Sequence, residues 1–249
     1  MFKCWGITPK SLLRQTSTGN HLLALAFSDV HSPKYLHLLK ADGRYRLTLM
    51  AGDLVERSRV ENLRPVVEFA KSRSDFIISV FGNEEYREKE EEFREAYPEV
   101  RWLDDEYAVM DLGGPCVSVV GSRGSLLRPT SWQRKHLPNI EEEYSKKPEV
   151  IRKLIREAKK ECPTVIYLSH YAPTWKTLVG EKRSIWPYLG DPRIERVLLE
   201  EGVRLAVHGH AHYGRVAYVN LGRLTIYNVA LPARGKPTKI AIGVQRKLI

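Results

Sequence analysis

The sequence predicts an α/β fold of two packed, largely parallel sheets with helices outside. Three observations carry this. Short apolar runs of five or six residues recur between turn residues, the pattern of strands buried on both faces. Amphipathic stretches separate the runs, and strand–helix alternation means right-handed crossovers. Two regions break the alternation and read as hairpins. The chain has 249 residues, enough to bury a core without staples, and 1–249 is expected to be one unit. Its 43% hydrophobic and 28% charged residues exclude a mainly disordered chain.

Taken in order, residues 1–20 precede the first run and either add an edge strand or cover a sheet. Residues 22–27 lead to Asp29 and His31. A helix is expected over 33–41. Residues 47–51 lead to Gly52-Asp53, and a helix is expected from Pro65, with Val66, Val67, Phe69 and Ala70 on its apolar side. Residues 76–81 lead to Gly82-Asn83. The acidic stretch 86–97, with Phe93 among few apolar positions, reads as a surface helix. Residues 107–112 and 116–120 flank Gly113-Gly114 as a hairpin. The clearest helix is 148–160, where Val150, Ile151, Leu154, Ile155 and Ala158 form one stripe behind a first-turn Pro148. Residues 164–168 lead to Ser169-His170. A short helix over 193–201 ends at Gly202. Residues 203–207 lead to His208-Gly209-His210-Ala211-His212. A second hairpin follows over 215–229, and Ile240, Ile242 and Val244 alternate as a last strand.

No apolar run approaches the ~18 residues that span a bilayer. The start, Met1-Phe2-Lys3-Cys4-Trp5, lacks the features of a signal peptide, so a cytoplasmic location is expected. Cys4, Cys116 and Cys162 are scattered and odd in number. They read as small buried hydrophobes rather than a disulfide framework or metal knuckle. The net charge of +10 favours an anionic partner such as a nucleotide, a nucleic acid or another phosphate ester. Glutamine is sparse beside abundant Arg, Glu and Lys. That bias occurs in heat-adapted proteins, and a thermophilic source is the corresponding expectation.

Ligands of an α/β sheet bind beyond the carboxyl ends of its strands. Asp29, His31, Asp53, Asn83, His170, His210 and His212 all follow predicted strands and should therefore converge. In extended chain, residues two apart face the same way, as for Asp29 with His31 and His210 with His212. Seven N and O donors are too many for one tetrahedral zinc and suit two divalent ions sharing a carboxylate. Without thiolates the site favours Mn, Fe, Zn, Ni or Co. Such a pair can generate hydroxide and clamp a phosphoryl oxygen.

Asp29-Val-His31, Gly52-Asp53-Leu-Val-Glu56-Arg57, Gly82-Asn83-Glu84-Glu85, His170 and Gly209-His210-Ala-His212 together resemble the calcineurin-like metallophosphoesterases. The five blocks stand in family order across residues 29–212. The resemblance implies a four-layer α-β-β-α sandwich of two mixed sheets flanked by helices, and a dinuclear-metal-dependent phosphoesterase. By motif, Asp29, His31 and His212 hold one metal, Asn83, His170 and His210 the other, and Asp53 bridges them. A hydroxide then attacks phosphorus in line.

Two departures shape the reading. Where the family often has Gly-Asn-His, this chain has Glu84, and its acidic partner corresponds to Glu56. Like charges at short range raise one pKa, so the pair is expected to share a proton and serve as a weak general acid. Family members without the histidine lean toward phosphodiesters, and so does this reading. Downstream, Asn228-Val-Ala-Leu-Pro232 replaces the family's Asn-Pro-Gly-Ser, which leaves no clear substrate role there. Arg57 is a candidate phosphate contact, with a solvated surface arginine as the alternative. His208 is expected either to support a neighbouring ligand or to be hydrogen-bonded core, rather than to bind a metal itself. The Arg128–Trp132–Arg134–Lys135 stretch and Trp175, Lys176, Lys182 and Arg183 fit either a nucleotide or single strand gripped by charge and stacking or plain solvated loops. The competing functions are a nuclease on the same fold and a non-catalytic protein-binding scaffold, the latter disfavoured by the complete ligand set.

Overall fold

The computed structural model describes residues 21–111 and 116–243, so the expectation for residues 1–20 lies outside the described residues. Its strands are β1 (His21–Phe27), β2 (Tyr45–Ala51), β3 (Ser74–Val80), β4 (Arg101–Leu103), β5 (Glu106–Asp111), β6 (Cys116–Ser122), β7 (Val165–Ser169), β8 (Leu205–His208), β9 (Tyr218–Leu221), β10 (Leu224–Asn228) and β11 (Thr238–Gly243). The helices are α1 (Arg64–Arg73), α2 (Glu90–Ala96), α3 (Ser131–His136), α4 (Ile140–Glu161), α5 (Pro192–Glu200) and α6 (Leu231–Arg234).

One sheet has the order β11-β1-β2-β3-β4 and the other β5-β6-β7-β8-β10-β9. In the first, β1 to β4 run parallel and β11 pairs antiparallel with β1. In the second, β6, β7, β8 and β10 run parallel, while β5 and β9 form antiparallel edges.

Period-two alternation separates the layers. Leu47, Leu49 and Ala51 of β2 face Val117, Val119, Ile166, Leu168 and Val207 in the core between the sheets. Met50 and Ile77 face the other way, with Val66, Val67, Ala70, Phe93 and Trp102. On the far side, Val165 and Tyr167 pack with Ile151, Ile155, Ala158, Ile194 and Val197. Three apolar layers between four layers of structure make the expected α-β-β-α sandwich.

Several local expectations are corrected. Residues 33–41 form only a 3-10 turn at Leu36–Leu38, too short a stretch to repay helix nucleation. Helix α4 begins at Ile140, so Pro148 lies inside it rather than in its first turn. Proline removes the amide that would reach the Tyr144 carbonyl, and Arg193 Nη2 donates to that carbonyl instead, at 3.0 Å. Strand β4 escapes sequence reading because three residues cannot display a period. Cys116 and Cys162 are joined in a disulfide, with Cα atoms 5.8 Å apart across 46 residues of sequence. They meet because β6 and β7 pair in parallel next to the end of α4, with Ser118 opposite Val165. Spacing in sequence carries no trace of that neighbourhood.

Candidate metal centre

Asp29 follows β1, Asp53 follows β2, Asn83 follows β3, His170 follows β7, and His210 and His212 follow β8. The seven predicted residues converge where the sheets' carboxyl edges meet. One atom each from Asp29, Asp53, His170 and His210 lie within 4.8 Å of one another, as do atoms of Asp29, His31 and His212. Either group could hold a metal ion. Asn83 joins the first, its Oδ1 lying 3.1 Å from His170 Nε2.

The backbone that delivers these groups is not extended. Asp29, His31, Asp53 and His210 all have positive φ, so a turn rather than strand geometry brings Asp29 and His31 to the same place. Left-handed backbone in non-glycine residues persists only where the surroundings impose it. Here the loops bind one another: Asp29 N donates to Gly52 O and His31 N to Asp53 O, both at 3.0 Å. Gly209 is required by close approach, since a Cβ there would sit 2.6 Å from Asp29 Oδ2.

Asp29 is fully buried. Ser28 Oγ donates to its Oδ2 at 2.5 Å and His210 N at 3.0 Å, while Oδ1 faces His212 Nε2 at 2.8 Å. Burial works against ionisation, but the hydrogen bond and charge of His212 hold Asp29 well below the usual carboxylate range. For Asp53, burial and then the neighbouring Glu85 push the carboxyl well above its ordinary value. A bound cation reverses that balance.

His170 states the chemistry most clearly. Its Nδ1 lies 2.9 Å from the Ala51 carbonyl, which can only accept, so Nδ1 carries the proton. Burial, then the charge of His210, push this imidazole well below its ordinary value. The neutral ring therefore presents a lone pair at Nε2. That lone pair faces Asn83 Oδ1 at 3.1 Å, His210 Nδ1 at 3.1 Å and Asp53 Oδ2 at 3.5 Å. Nearby, His31 Nε2 is buried with no hydrogen-bond partner and lies 3.9 Å from Asp53 Oδ2. Lone pairs aimed at a common point fit a divalent cation, and the N/O donor set suits the transition metals named above.

His208 is hydrogen-bonded core: its Nδ1 faces Gly209 O and its Nε2 faces Thr177 Oγ1, both at 2.8 Å. Glu84 and Glu56 are half-buried near the cluster, and Glu84 Oε2 accepts from the Arg57 amide at 2.8 Å. The Arg57 side chain is exposed. Asn228 is buried and spends its side chain on Ala211 O and Ala230 N.

Three contributors were not read from the sequence. Glu85 is buried among backbone amides of the Asp53 and Gly82 loops. Arg123, after β6, donates to the Glu85 carbonyl. Tyr171 packs on both His170 and His210, with ring centroids 5.3 and 4.9 Å away, and its hydroxyl accepts from Gln133 Nε2 at 3.1 Å. Only the doubled glutamate after Asn83 offered a signal.

The fold and the Asp/His cluster together define a sandwich of the phosphoesterase class. The chain belongs to the calcineurin-like phosphoesterase family, which it matches over residues 23–214, and this supports a hydrolase acting on phosphate esters. No curated protein sequence matches it significantly. Solved structures share its fold. A phosphopantetheinyl hydrolase from Mycobacterium tuberculosis is 13% identical with a TM-score of 0.65, over 88% of this chain and 92% of that one. A putative 5'-nucleotidase from Staphylococcus aureus is 11% identical with a TM-score of 0.57, over 91% and 53%. A dimetal phosphatase from Danio rerio is 10% identical with a TM-score of 0.54, over 90% and 99%.

Proposed function

We propose that the protein is a dinuclear-metal-dependent phosphoesterase acting on a phosphodiester, with a nucleotide-type ester as the expected substrate class. The observation that carries this reading is the convergence of His170 Nε2, Asn83 Oδ1 and Asp53 Oδ2 on one point. Asp29, His31 and His212 would hold one ion, Asn83, His170 and His210 a second, with Asp53 shared. Manganese is the ion to try first. Two such ions supply positive charge for the phosphoryl oxygens and acidify water.

The chain's own groups do the rest. Ser28 and the His210 amide orient Asp29, and the Ala51 carbonyl fixes the His170 tautomer. Glu84 would deliver the proton to the leaving oxygen, with Glu56 as its acidic partner. The Arg57 amide orients Glu84, and the exposed Arg57 side chain is available to the phosphate. The preference for a diester rests on glutamate replacing histidine at position 84. Among the described residues no helix is long and apolar enough to cross a membrane. A cytoplasmic location in a heat-adapted organism is compatible with the Cys116–Cys162 disulfide, because intracellular disulfides occur in such organisms.

The test is a metal-reconstituted activity panel of bis-p-nitrophenyl phosphate, p-nitrophenyl phosphate, cyclic nucleotides and single-stranded DNA. Hydrolysis should require added metal, vanish with chelator and favour the diesters. Activity that survives both chelation and Asp53→Asn overturns the two-metal reading. Preferred cleavage of the DNA, with affinity falling steeply as salt is added, selects the nuclease alternative that the +10 charge favours.

A further inference from the structure

Between the loops that follow β2 and β3 lies a carboxylate that the proposed chemistry does not use. Glu85 is fully buried, and both its oxygens are saturated by backbone. Oε2 accepts from Gly82 N at 2.7 Å and Asp53 N at 2.9 Å. Oε1 accepts from Leu54 N at 2.7 Å and Val55 N at 3.2 Å. These amides flank Asp53 on one loop and Asn83 on the other.

Glu85 is itself held from the opposite sheet. Arg123 is 7% exposed. Its Nη1 donates to the Glu85 carbonyl at 3.0 Å and its Nη2 to Glu90 Oε1 at 2.5 Å, with the guanidinium 5.8 Å from the centroid of the Phe81 ring. A second tie runs directly between the loops, from Glu84 N to Asp53 Oδ1 at 2.8 Å.

We propose that Glu85 is a positioning residue of this site: its carboxylate, on a backbone whose carbonyl Arg123 holds, sets the spacing between Asp53 and Asn83 and so the fit of the bound ions. The inference rests on the phosphoesterase reading above. Its physical basis is that only an acceptor at both oxygens suits four converging N–H groups. A glutamine there turns its NH2 toward two of them, whichever way it is placed.

The experiment titrates Mn2+ into metal-free protein by calorimetry for the parent, Glu85→Gln, Arg123→Lys and Cys162→Ser, with melting temperatures alongside. Removing an outer partner of this kind typically costs 10–100-fold in metal affinity, and that loss is expected for Glu85→Gln, with a smaller one for Arg123→Lys. On bis-p-nitrophenyl phosphate at saturating Mn2+, kcat should fall while KM stays within about twofold, since the substrate's own contacts remain. Cys162→Ser should lower the melting temperature and leave Mn2+ affinity unchanged. Parental affinity in Glu85→Gln, or a loss that follows melting temperature in every variant, overturns the proposal. If Glu85→Gln does not fold, Arg123→Lys decides by the same readout, and unchanged affinity there overturns it. A parent protein that takes up no Mn2+ and cleaves no ester overturns the phosphoesterase reading and this inference with it. A parent that does both beside an indifferent Glu85→Gln overturns the inference alone.

Discussion

The two ends of the parallel strands are built on opposite plans. At the carboxyl ends, charge is buried: Asp29, Asp53, Glu85 and His170 are each at most 1% exposed. Six of the eight described non-glycine residues with positive φ stand there, namely Asp29, His31, Asp53, Arg57, Ser58 and His210. Polar ties between loops hold them. At the amino ends the chain is closed by the Cys116–Cys162 bond and by backbone contacts such as Ser118 N to Thr164 O at 2.8 Å. A cavity of about 170 Å³ also opens there, between Thr164, Arg204, Thr225 and Gly243, and neither Asp/His cluster lines it. Convergent donors are the guide to the carboxyl edge. The contrast implies that chemistry and stability can be altered separately.

The sharpest way to break that contrast is Asp53→Asn. It should lower kcat/KM by about 10³-fold, the scale on which a central charge-stabilising group acts. In metal-free protein its melting temperature should equal or exceed the parent's, because a neutral isostere removes a buried charge. Thermal melts and kinetics on one preparation check both halves. A destabilised variant would mean that the site edge also holds the fold.

At the other end, Cys116→Ser with Cys162→Ser should cost about 4 kcal/mol of stability, the loop-closure value for a bridge spanning 46 residues of sequence. Denaturant titration measures it, and activity should stay within about twofold of the parent. Activity lost in proportion to stability would erase the distinction between the ends.

His208 connects the two plans. Burial pushes its imidazole from 6.5 down to about 4, so between those values the unfolded chain binds a proton that the folded chain refuses. The contribution is therefore fully present above pH 6.5 and is lost as pH falls toward 4, amounting to roughly 3 kcal/mol. Melts of metal-free protein from pH 7 to pH 4 should show a shallower decline for His208→Gln than for the parent. Parallel curves would locate the acid sensitivity elsewhere in the cluster.

The smallest effect is expected of Glu84→Gln. A weak general acid should cost about tenfold on an alkyl diester with a poor leaving group and little on a nitrophenyl diester, below the usual span for such catalysis. Equal activity on both substrates would remove Glu84 from proton transfer and leave it the structural task of accepting the Arg57 amide.

Much of this was legible beforehand, for local reasons. Runs such as 47–51 and 164–168 announce buried strands by their own composition, and a polar residue just after each lies at the edge where ligands bind. That logic reached all seven clustered side chains. It could not give a role to Glu85, whose partner Asp53 is 32 residues away, or reach Arg123, which acts across sheets. Nor could it see that Pro148 is tolerated inside α4 because Arg193 serves the orphaned Tyr144 carbonyl.

The sequence by itself determined the alternation of elements, the two apolar faces of each sheet and the identity of the clustered donors. These follow from hydrophobic period and residue type, which are properties of short stretches. Tertiary structure alone decided the left-handed turns at Asp29 and His31, the tautomer of His170, the grip on Glu85 and the joining of Cys116 to Cys162. Each depends on backbone groups brought side by side when the sheets close, and no local pattern encodes a neighbour dozens of residues distant.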